Sequence, residues 1–337
     1  MEKVSKSDWS KVNDSNPEVF ATRLYRYLEL KSTLPRKFYL GLNTSNQYCL
    51  MFKANRELLE GKDFPDTEGL EVRLDVQFGA KEIGVVLKLK SDDFIEIFAT
   101  LANDLIATLC NITDNKHFID AFFGRLGIWK MFLDKSGVSG LGPERRRGLF
   151  GELYLLKEIF IANLGTDSIK FWTGPTGAMH DFELGKLALE CKTMAGNRSQ
   201  KVSISNERQL EDDGYENLYL ACVAITVRKN AEPSLVTIVK DIEGLLSRDP
   251  VNQVNFANSL LSSGYNKIHE DMYVKEGYHV DDILYYRVSE GFPRLLAKDL
   301  PNGVGGLGYT VDLSACLEFK ITADEVETSI KSTSSQK

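Results

Sequence analysis

Four short segments near the start of the chain have the character of strands, and in one of them Val72, Leu74 and Val76 alternate with polar residues, which is the pattern of a half-buried strand. They fall into two pairs, and each pair is interrupted by residues that favour turns. The paired segments are 37–42 with 47–53, and 70–77 with 82–90. This arrangement predicts two β-hairpins in the first part of the chain.

Three other segments in the same part of the chain predict helices. Apolar residues recur three or four positions apart in 94–109 and again in 119–133, which gives each segment one apolar stripe. A Leu- and Tyr-rich stretch around 18–30 predicts a third helix. Packing into a core explains such stripes better than a binding groove does. Hairpins and helices together predict an α+β domain over residues 1–135.

The composition changes at 136–143, where Ser, Gly and Pro dominate and predict a linker. The next region, 144–262, combines helical stripes with strands, and its apolar run 218–227 is typical of a strand buried on both faces. It predicts an α/β core with a mixed sheet. Tyr- and Val-rich segments predict a small β-rich C-terminal extension over 263–325, and a Ser/Thr/Lys-rich flexible tail follows at 326–337.

Within the core region, two strand-like runs flank Gly185 and Lys186. Glycine suits the first position of a two-residue type II′ turn, so these runs predict a hairpin. Pairing outward from the turn brings Asp181 opposite Glu190, with Cβ atoms about 5 Å apart. Lys192, two residues further on, shares their face. Apolar residues alternate with these polar ones, so the other face belongs to the core.

Two adjacent carboxylates repel each other unless a cation lies between them. Mg²⁺ prefers oxygen ligands of this kind and keeps several waters, and Mn²⁺ is a possible substitute. A lysine beside a metal-bound water can hold or deprotonate the nucleophile. Asp181, Glu190 and Lys192 therefore predict metal-assisted phosphodiester hydrolysis. The alternative is a solvent-exposed sheet face with an ordinary Glu–Lys pair.

Two residues outside the hairpin extend this pattern. Glu152 lies at the edge of the apolar stripe of a helix predicted over 147–163, where an unpaired carboxylate is costly. It either faces the metal or pairs with Lys192 or an arginine. Gln209 follows Asn206 by three residues, so it either completes a helix cap or belongs to the active site.

Three arginines, Arg145, Arg146 and Arg147, precede the helix that carries Glu152. Cations at the start of a helix oppose its macrodipole, which favours a role in gripping phosphate groups. The alternative is a solvated loop.

The bulk composition limits the choice of function only weakly. The chain has 337 residues and a net charge of -7, which argues against a general basic coat. A local basic cleft can still hold phosphates, because screening confines each charge to about 10 Å. Five scattered cysteines without a CxxC pair, and four histidines, argue against structural zinc. Without an apolar leader or a long apolar run, we expect a cytoplasmic protein that does not enter a membrane.

These motifs together resemble the PD-(D/E)XK phosphodiesterase superfamily. More narrowly, the chain is similar to a bacterial group of PD-(D/E)XK proteins encoded near restriction-modification or phage-defence genes. The similar segments are 148–153, 172–175, 181–182, 189–193, 204–210, 291–293 and 300–309. The chain departs from the motif at one position, where His180 replaces the proline.

The resemblance implies a core like that of restriction endonucleases and a Mg²⁺-dependent DNA endonuclease of a restriction or phage-defence system. Asp181 and Glu190 would bind the metal with the Cys191 carbonyl and Glu152, and Lys192 would activate the water, with Gln209 beside it. Double-stranded DNA would be the substrate, with the N-terminal domain reading it or docking a partner. A homodimer or an assembly with other defence proteins is expected. The alternative is a catalytically silent nuclease-fold subunit that binds DNA or assembles a complex.

Overall fold

The computed structural model describes residues 3–12, 19–21, 25–30, 35–64, 66–67, 69–77, 81–136, 139–196 and 200–335. The chain divides into two compact units, Met1–Gly140 and Leu141–Lys337. The boundary lies inside the stretch 136–143 predicted as a linker, of which residues 137–138 lie outside the described residues. Among the described residues, the structure contains no helix with both the length and the apolar character needed to cross a bilayer.

The first unit contains an antiparallel sheet in the order β1-β2-β3-β4-β6-β5. Its strands are β1 Val19–Ala21, β2 Tyr25–Glu29, β3 Phe38–Asn43, β4 Tyr48–Asn55, β5 Leu70–Gln77 and β6 Glu82–Leu89. Its helices are α1 Lys6–Ser10, α2 Ile95–Leu109 and α3 Asn115–Ser136. The two predicted hairpins are confirmed as β3–β4 and β5–β6, and the helices predicted over 94–109 and 119–133 are confirmed as α2 and α3.

The helix predicted around 18–30 is wrong, because β1 and β2 occupy this segment. Strand β2 pairs along its length with β3, and it buries Tyr25. Tyr27 packs edge-on against Tyr39, with ring centroids 5.5 Å apart. Cross-strand aromatic pairs of this kind stabilise a sheet, and here they outweigh the local helical propensity of Leu and Glu.

The second unit is an α/β fold built on a mixed five-stranded sheet in the order β13-β11-β10-β8-β7. Its strands are β7 Phe182–Leu184, β8 Leu187–Ala195, β9 Lys201–Ile204, β10 Asn217–Lys229, β11 Glu276–Val288, β12 Tyr309–Asp312 and β13 Lys320–Ile321. Strand β10 runs parallel to β8, and the other neighbours are antiparallel. Strands β9 and β12 form a separate two-stranded ribbon.

Helices cover this sheet and extend from its ends. They are α4 Pro143–Leu155, α5 Ala162–Leu164, α6 Leu235–Leu245, α7 Pro250–Ser262, α8 Glu270–Tyr273 and α9 Ala323–Ser334. A π-helical turn, Leu156–Ile161, joins α4 to α5 without a break. Pro143 occupies the first turn of α4, where its missing N–H costs nothing.

Both faces of the central strands are buried. One face packs on α4, and its core contains Leu149, Leu153 and Leu189. The opposite face contributes Ala188 and Leu220 to a second apolar cluster that includes residues of the β9–β12 ribbon. This explains why the segment predicted as a buried strand, 218–227, is continuously apolar, and β10 confirms it.

The predicted division after residue 262 is corrected, because the extension over 263–325 supplies part of the central sheet. Strand β11 pairs with β10 along its whole length and buries Tyr278 and Tyr285 in the same core. The flexible tail predicted at 326–337 is corrected as well, up to the last described residue. Val326 and Ile330, one turn apart on α9, are fully buried, and Thr322 caps this helix.

Candidate active site

The hairpin that carries the predicted chemistry has the expected register. Leu184 pairs with Leu187 and Phe182 pairs with Leu189, so Asp181 and Glu190 occupy the next opposed positions. Gly185 has a φ of 59°, as the first residue of a type II′ turn requires. Asp181 lies just outside β7, and its Oδ2 accepts the Cys191 N–H at 2.8 Å. The carboxylate thus continues the pairing that the backbone of β7 no longer makes.

A cleft of about 560 Å³ lies where β8 extends beyond its short partner β7. Helix α4 forms one wall, and β9 with the 3-10 helix Glu207–Leu210 forms the other. The lining residues are Glu144, Arg147, Gly148, Glu152, Asp181, 190–195, 201–203, Ser205 and Gln209. All five residues predicted to be catalytic therefore line a single cleft.

Lys192 is held between two side chains in this cleft. Its Nζ donates to Glu190 Oε1 at 2.6 Å and to Gln209 Oε1 at 3.1 Å. Gln209 Oε1 also accepts the Ser205 N–H at 2.8 Å, while Asn206 caps the short helix by accepting the Arg208 N–H. Gln209 thus contacts the lysine and fixes the backbone of Ser205, but it does not complete the capping box, which would need the Asn206 N–H.

Glu190 is almost completely buried, with an exposed fraction of 1%. Its Oε1 accepts from Lys192, but Oε2 is buried without a hydrogen-bond partner among the described residues. Burial, followed by the charge of Asp181, raises the pKa of Glu190 to about 8. Burial also raises the pKa of Asp181. The charge of Lys192 lowers both pKa values, but it does not offset the effect of burial on either carboxylate.

Lys192 alone does not neutralise both acids. Burial lowers its pKa, but the charges of Glu190 and Asp181 outweigh burial, so the pKa is raised overall and the ammonium stays charged. One ammonium faces two carboxylates, with Glu152 adding further negative charge close by. This imbalance is the electrostatic condition that a bound divalent cation would relieve.

The residues present fit a hard divalent cation that also keeps water ligands. Across the ranges that the structure describes, no three His, Cys, Asp or Glu side chains come close enough to enclose a metal ion. Asp181 and Glu190 thus offer two carboxylates, and a backbone carbonyl and waters would complete the shell. Mg²⁺ is commonly bound in this way, through one or two carboxylates with several waters retained.

Glu190 is expected to make the stability of the metal-free protein depend on pH. Folding raises its pKa from 4.5 to about 8, so between these values the folded chain holds a proton that the unfolded chain has lost. The free energy of unfolding should therefore fall as pH rises through this window and level off above it. Urea denaturation in EDTA measures this slope. Glu190→Gln should flatten it, and an unchanged slope in this variant would contradict the assignment.

Glu152 reaches the cleft from α4 and has a partner that the sequence patterns did not predict. The indole Nε1 of Trp172 donates to Glu152 Oε2 at 2.8 Å. The sequence marks Trp172 only by its place in a segment similar to the superfamily, and its contact joins residues 20 positions apart. A buried tryptophan needs a partner for its N–H, which is the only signal that could have suggested the contact.

The three arginines at the start of α4 do not all line the cleft. Arg147 lines the cleft. Arg146 instead donates to the Met272 carbonyl at 3.3 Å and lies 3.5 Å from a carboxylate oxygen of Glu276. Arg145 is exposed. Successive helical residues point about 100° apart, so the three side chains separate. Lys201, on the opposite wall of the cleft, is a cation that the sequence patterns missed.

His180, which replaces the proline of the motif, is buried next to Asp181. Its ring lies edge-on to Tyr215 at 5.1 Å, and burial lowers its pKa. The imidazole packs behind the strand end and is not part of the cleft lining.

The family comparison agrees with this geometry. Residues 5–314 match the family model described as "Putative PD-(D/E)XK family member, (DUF4420)". This match extends over both units and confirms the superfamily to which the motifs pointed. No curated protein and no solved structure matches the chain.

Proposed function

Since the chain belongs to this PD-(D/E)XK family, we propose that it is a divalent-metal-dependent endonuclease that hydrolyses phosphodiester bonds in DNA. The observation that carries the proposal is the meeting of Asp181, Glu190 and Lys192 in one cleft, with Glu190 Oε2 buried and unpartnered among the described residues. A purely structural Glu–Lys pair would not need the second carboxylate, which only adds repulsion.

Asp181 and Glu190 would hold the cation through their carboxylates, with the Cys191 carbonyl as a third oxygen and Glu152 at the edge of the site. Mg²⁺ or Mn²⁺ bound there supplies Lewis-acid stabilisation of the charge that develops on the phosphate. The N–H of Cys191 donates to Asp181 Oδ2, which keeps that carboxylate turned toward β8.

Lys192 would orient the attacking water or donate to a phosphate oxygen. Its Nζ is held by Glu190 and Gln209, so the ammonium needs little reorganisation when the substrate arrives. Its raised pKa keeps it protonated at neutral pH, which favours a positioning and charge-stabilising role over that of a general base.

Arg147 and Lys201 would contact phosphates on either side of the bond that is cut. They extend from opposite walls of the cleft, on α4 and β9. Arginine suits bidentate phosphate contacts, whereas lysine acts as a point charge. Because charges act over about 10 Å in salt, this local pair can bind a polyanion although the whole chain is acidic.

The resemblance of the sequence motifs to proteins encoded near restriction-modification or phage-defence genes implies a role in such a system. Cutting both strands of DNA requires two active centres, so we expect a homodimer or an assembly with other restriction or defence proteins. The first unit would then recognise DNA or dock such a partner.

The test is nicking of supercoiled plasmid with Mg²⁺ or Mn²⁺ and in EDTA. Wild type should nick only with metal, and Lys192→Ala should be slower by about a hundredfold or more, because it removes a positioned cation. Lys186→Ala is the matched control, since this lysine is exposed in the turn between β7 and β8. If neither metal supports nicking, and Lys192→Ala leaves DNA binding unchanged, the non-catalytic subunit is the better description.

A further inference from the structure

The segment between α5 and β7 contains a buried tryptophan, Trp172, whose indole ring forms a hydrogen bond with Glu152. Trp172 follows the 3-10 helix Thr166–Phe171 and is 2% exposed. Its ring packs against Phe256, with centroids 6.1 Å apart. Its indole N–H donates to Glu152 Oε2 at 2.8 Å. One oxygen of Glu152 is therefore fixed by a side chain that cannot move without opening the core.

The next two residues of the same segment form hydrogen bonds with the backbone of Asp181. The N–H groups of Thr173 and Gly174 donate to the Asp181 carbonyl at 2.9 and 3.0 Å. The Thr173 hydroxyl also donates to the His180 carbonyl at 3.1 Å. Asp181 lies outside β7, so these bonds supply the backbone order that the strand itself does not.

Gly174 gives the two carboxylates room to approach. A Cβ at this position would lie 2.8 Å from Asp181 Oδ1 and 3.6 Å from Glu152 Oε2. Contacts below 3.0 Å force a shift, and here the atom that must shift is an oxygen proposed to bind the cation. The φ of Gly174 is not in the left-handed region, so the glycine is required by space and not by its backbone conformation.

We propose that Trp172 and Gly174 are positioning residues that set the spacing of Glu152 and Asp181 and thereby the cation affinity of the cleft. The inference rests on the proposed function, since it assumes that the cleft binds a divalent cation. Partners that orient metal-binding groups typically change metal affinity by about 10- to 100-fold when removed. Trp172 orients one carboxylate by a hydrogen bond, and Gly174 orients the other by leaving space.

Mn²⁺ binding to the full chain, measured by calorimetry, tests the proposal without relying on activity. The relevant site is the one that Asp181→Asn abolishes. Trp172→Phe keeps the buried ring and removes the N–H, while Gly174→Ala adds only a methyl group. Each should raise the Kd for Mn²⁺ by about 10-fold or more.

Two control variants separate positioning from general damage. Trp129→Phe also removes an indole N–H that donates to a carboxylate, Asp104 Oδ2 at 2.7 Å, but in the first unit. Gly244→Ala adds a methyl group to α6, and apart from its chain neighbours and the backbone of α6 no atom of the described part of the chain lies within 4 Å of it. Both should bind Mn²⁺ as wild type does.

The outcomes are distinguishable. Weaker binding in Trp172→Phe and Gly174→Ala, with normal binding in both controls, supports the proposal. Wild-type affinity in Trp172→Phe and Gly174→Ala overturns it and leaves the proposed function standing. If Gly174→Ala does not fold, Trp172→Phe alone decides by the same criterion. Failure of wild type to bind Mn²⁺ overturns the proposed function and, with it, this inference.

Discussion

Asp181→Asn is expected to abolish DNA cleavage and yet leave the metal-free protein at least as stable as wild type. The carboxylate offers the cleft one of its two main oxygen ligands, and metal stabilisation of a phosphoryl transition state is worth several kcal/mol. Loss of that stabilisation corresponds to a rate reduction of about a thousandfold or more. Asparagine keeps the shape of the side chain and an oxygen that can accept the Cys191 N–H.

The stability half of this prediction follows from repulsion within the cleft. The charge of Asp181 raises the pKa of Glu190, second only to burial, so removing it should ease ionisation of the buried glutamate. Sites built for chemistry commonly gain stability when such a group is neutralised. Lys192 keeps its bond to Glu190, so the substitution leaves no buried ammonium without a partner.

Thermal unfolding without metal measures the stability of Asp181→Asn, unfolding with Mn²⁺ measures whether the metal still binds, and plasmid nicking measures cleavage. The metal should raise the Tm of wild type, because a ligand that binds only the folded state stabilises it, and it should leave the Tm of Asp181→Asn unchanged. Glu183→Gln is the matched control, since Glu183 lies on β7 but outside the cleft lining. Cleavage by Asp181→Asn at more than a tenth of the wild-type rate would rule out the assigned role.

The hairpin formed by β7 and β8 could be predicted because the residues that determine it are close together in the sequence. Gly185 fixes the turn, and the alternation of apolar residues fixes the faces, so the opposition of Asp181 and Glu190 follows from the register. Lys192 follows from the period of a strand. The sequence patterns also predict the helices that carry Glu152 and Gln209. They do not predict the directions in which these two side chains point.

Sequence patterns did not predict which distant segments pair with each other. Strand β11 joins the central sheet through β10, which lies some fifty residues earlier, and nothing in the composition of 263–325 marks that partner. The last helix, α9, was obscured by its Ser, Thr and Lys residues, although Val326 and Ile330 bury fully. In the segment 18–30, pairing of β2 with β3 outweighed local propensity.

Sequence patterns also did not predict the contacts across the cleft. Two such contacts are the hydrogen bond between Trp172 and Glu152 and the position of Lys201 opposite Arg147. Both depend on how α4 and β9 pack against β8. Sequence patterns predict which face of an element is apolar, but they do not predict the distance at which two elements pack. Between α4 and β8, the absence of a side chain at Gly151 is what allows the close approach.

Gly151→Ala is expected to destabilise the protein although it adds a single methyl group. A Cβ at position 151 of α4 would lie 2.1 Å from Thr193 Oγ1 and 3.3 Å from Thr193 Cβ on β8. The helix would have to move away from the strand that carries Glu190 and Lys192. Overpacking of this kind costs about 1 to 3 kcal/mol, which outweighs the helical advantage of alanine over glycine.

Gly148→Ala is the matched control, one turn earlier on the same helix, because among the described residues no atom beyond its chain neighbours and the helix's own backbone lies within 4 Å of its added Cβ. It should leave the free energy of unfolding unchanged or raise it by up to about 1 kcal/mol, because alanine stabilises a helix relative to glycine. Urea denaturation of both variants measures the difference directly. Equal stability of the two would mean that α4 does not approach β8 as closely as the structure has it.

Removing the Thr193 hydroxyl should restore most of what Gly151→Ala loses, because the clash is with that oxygen. Thr193→Ala alone should cost little in hydrogen bonding, since its Oγ1 has no partner among the described residues. The two substitutions should therefore be strongly non-additive, as expected for side chains in direct contact. If the double variant is as unstable as the sum of the single ones, the strain lies elsewhere along α4, and the close approach of helix to strand is not what Gly151 secures.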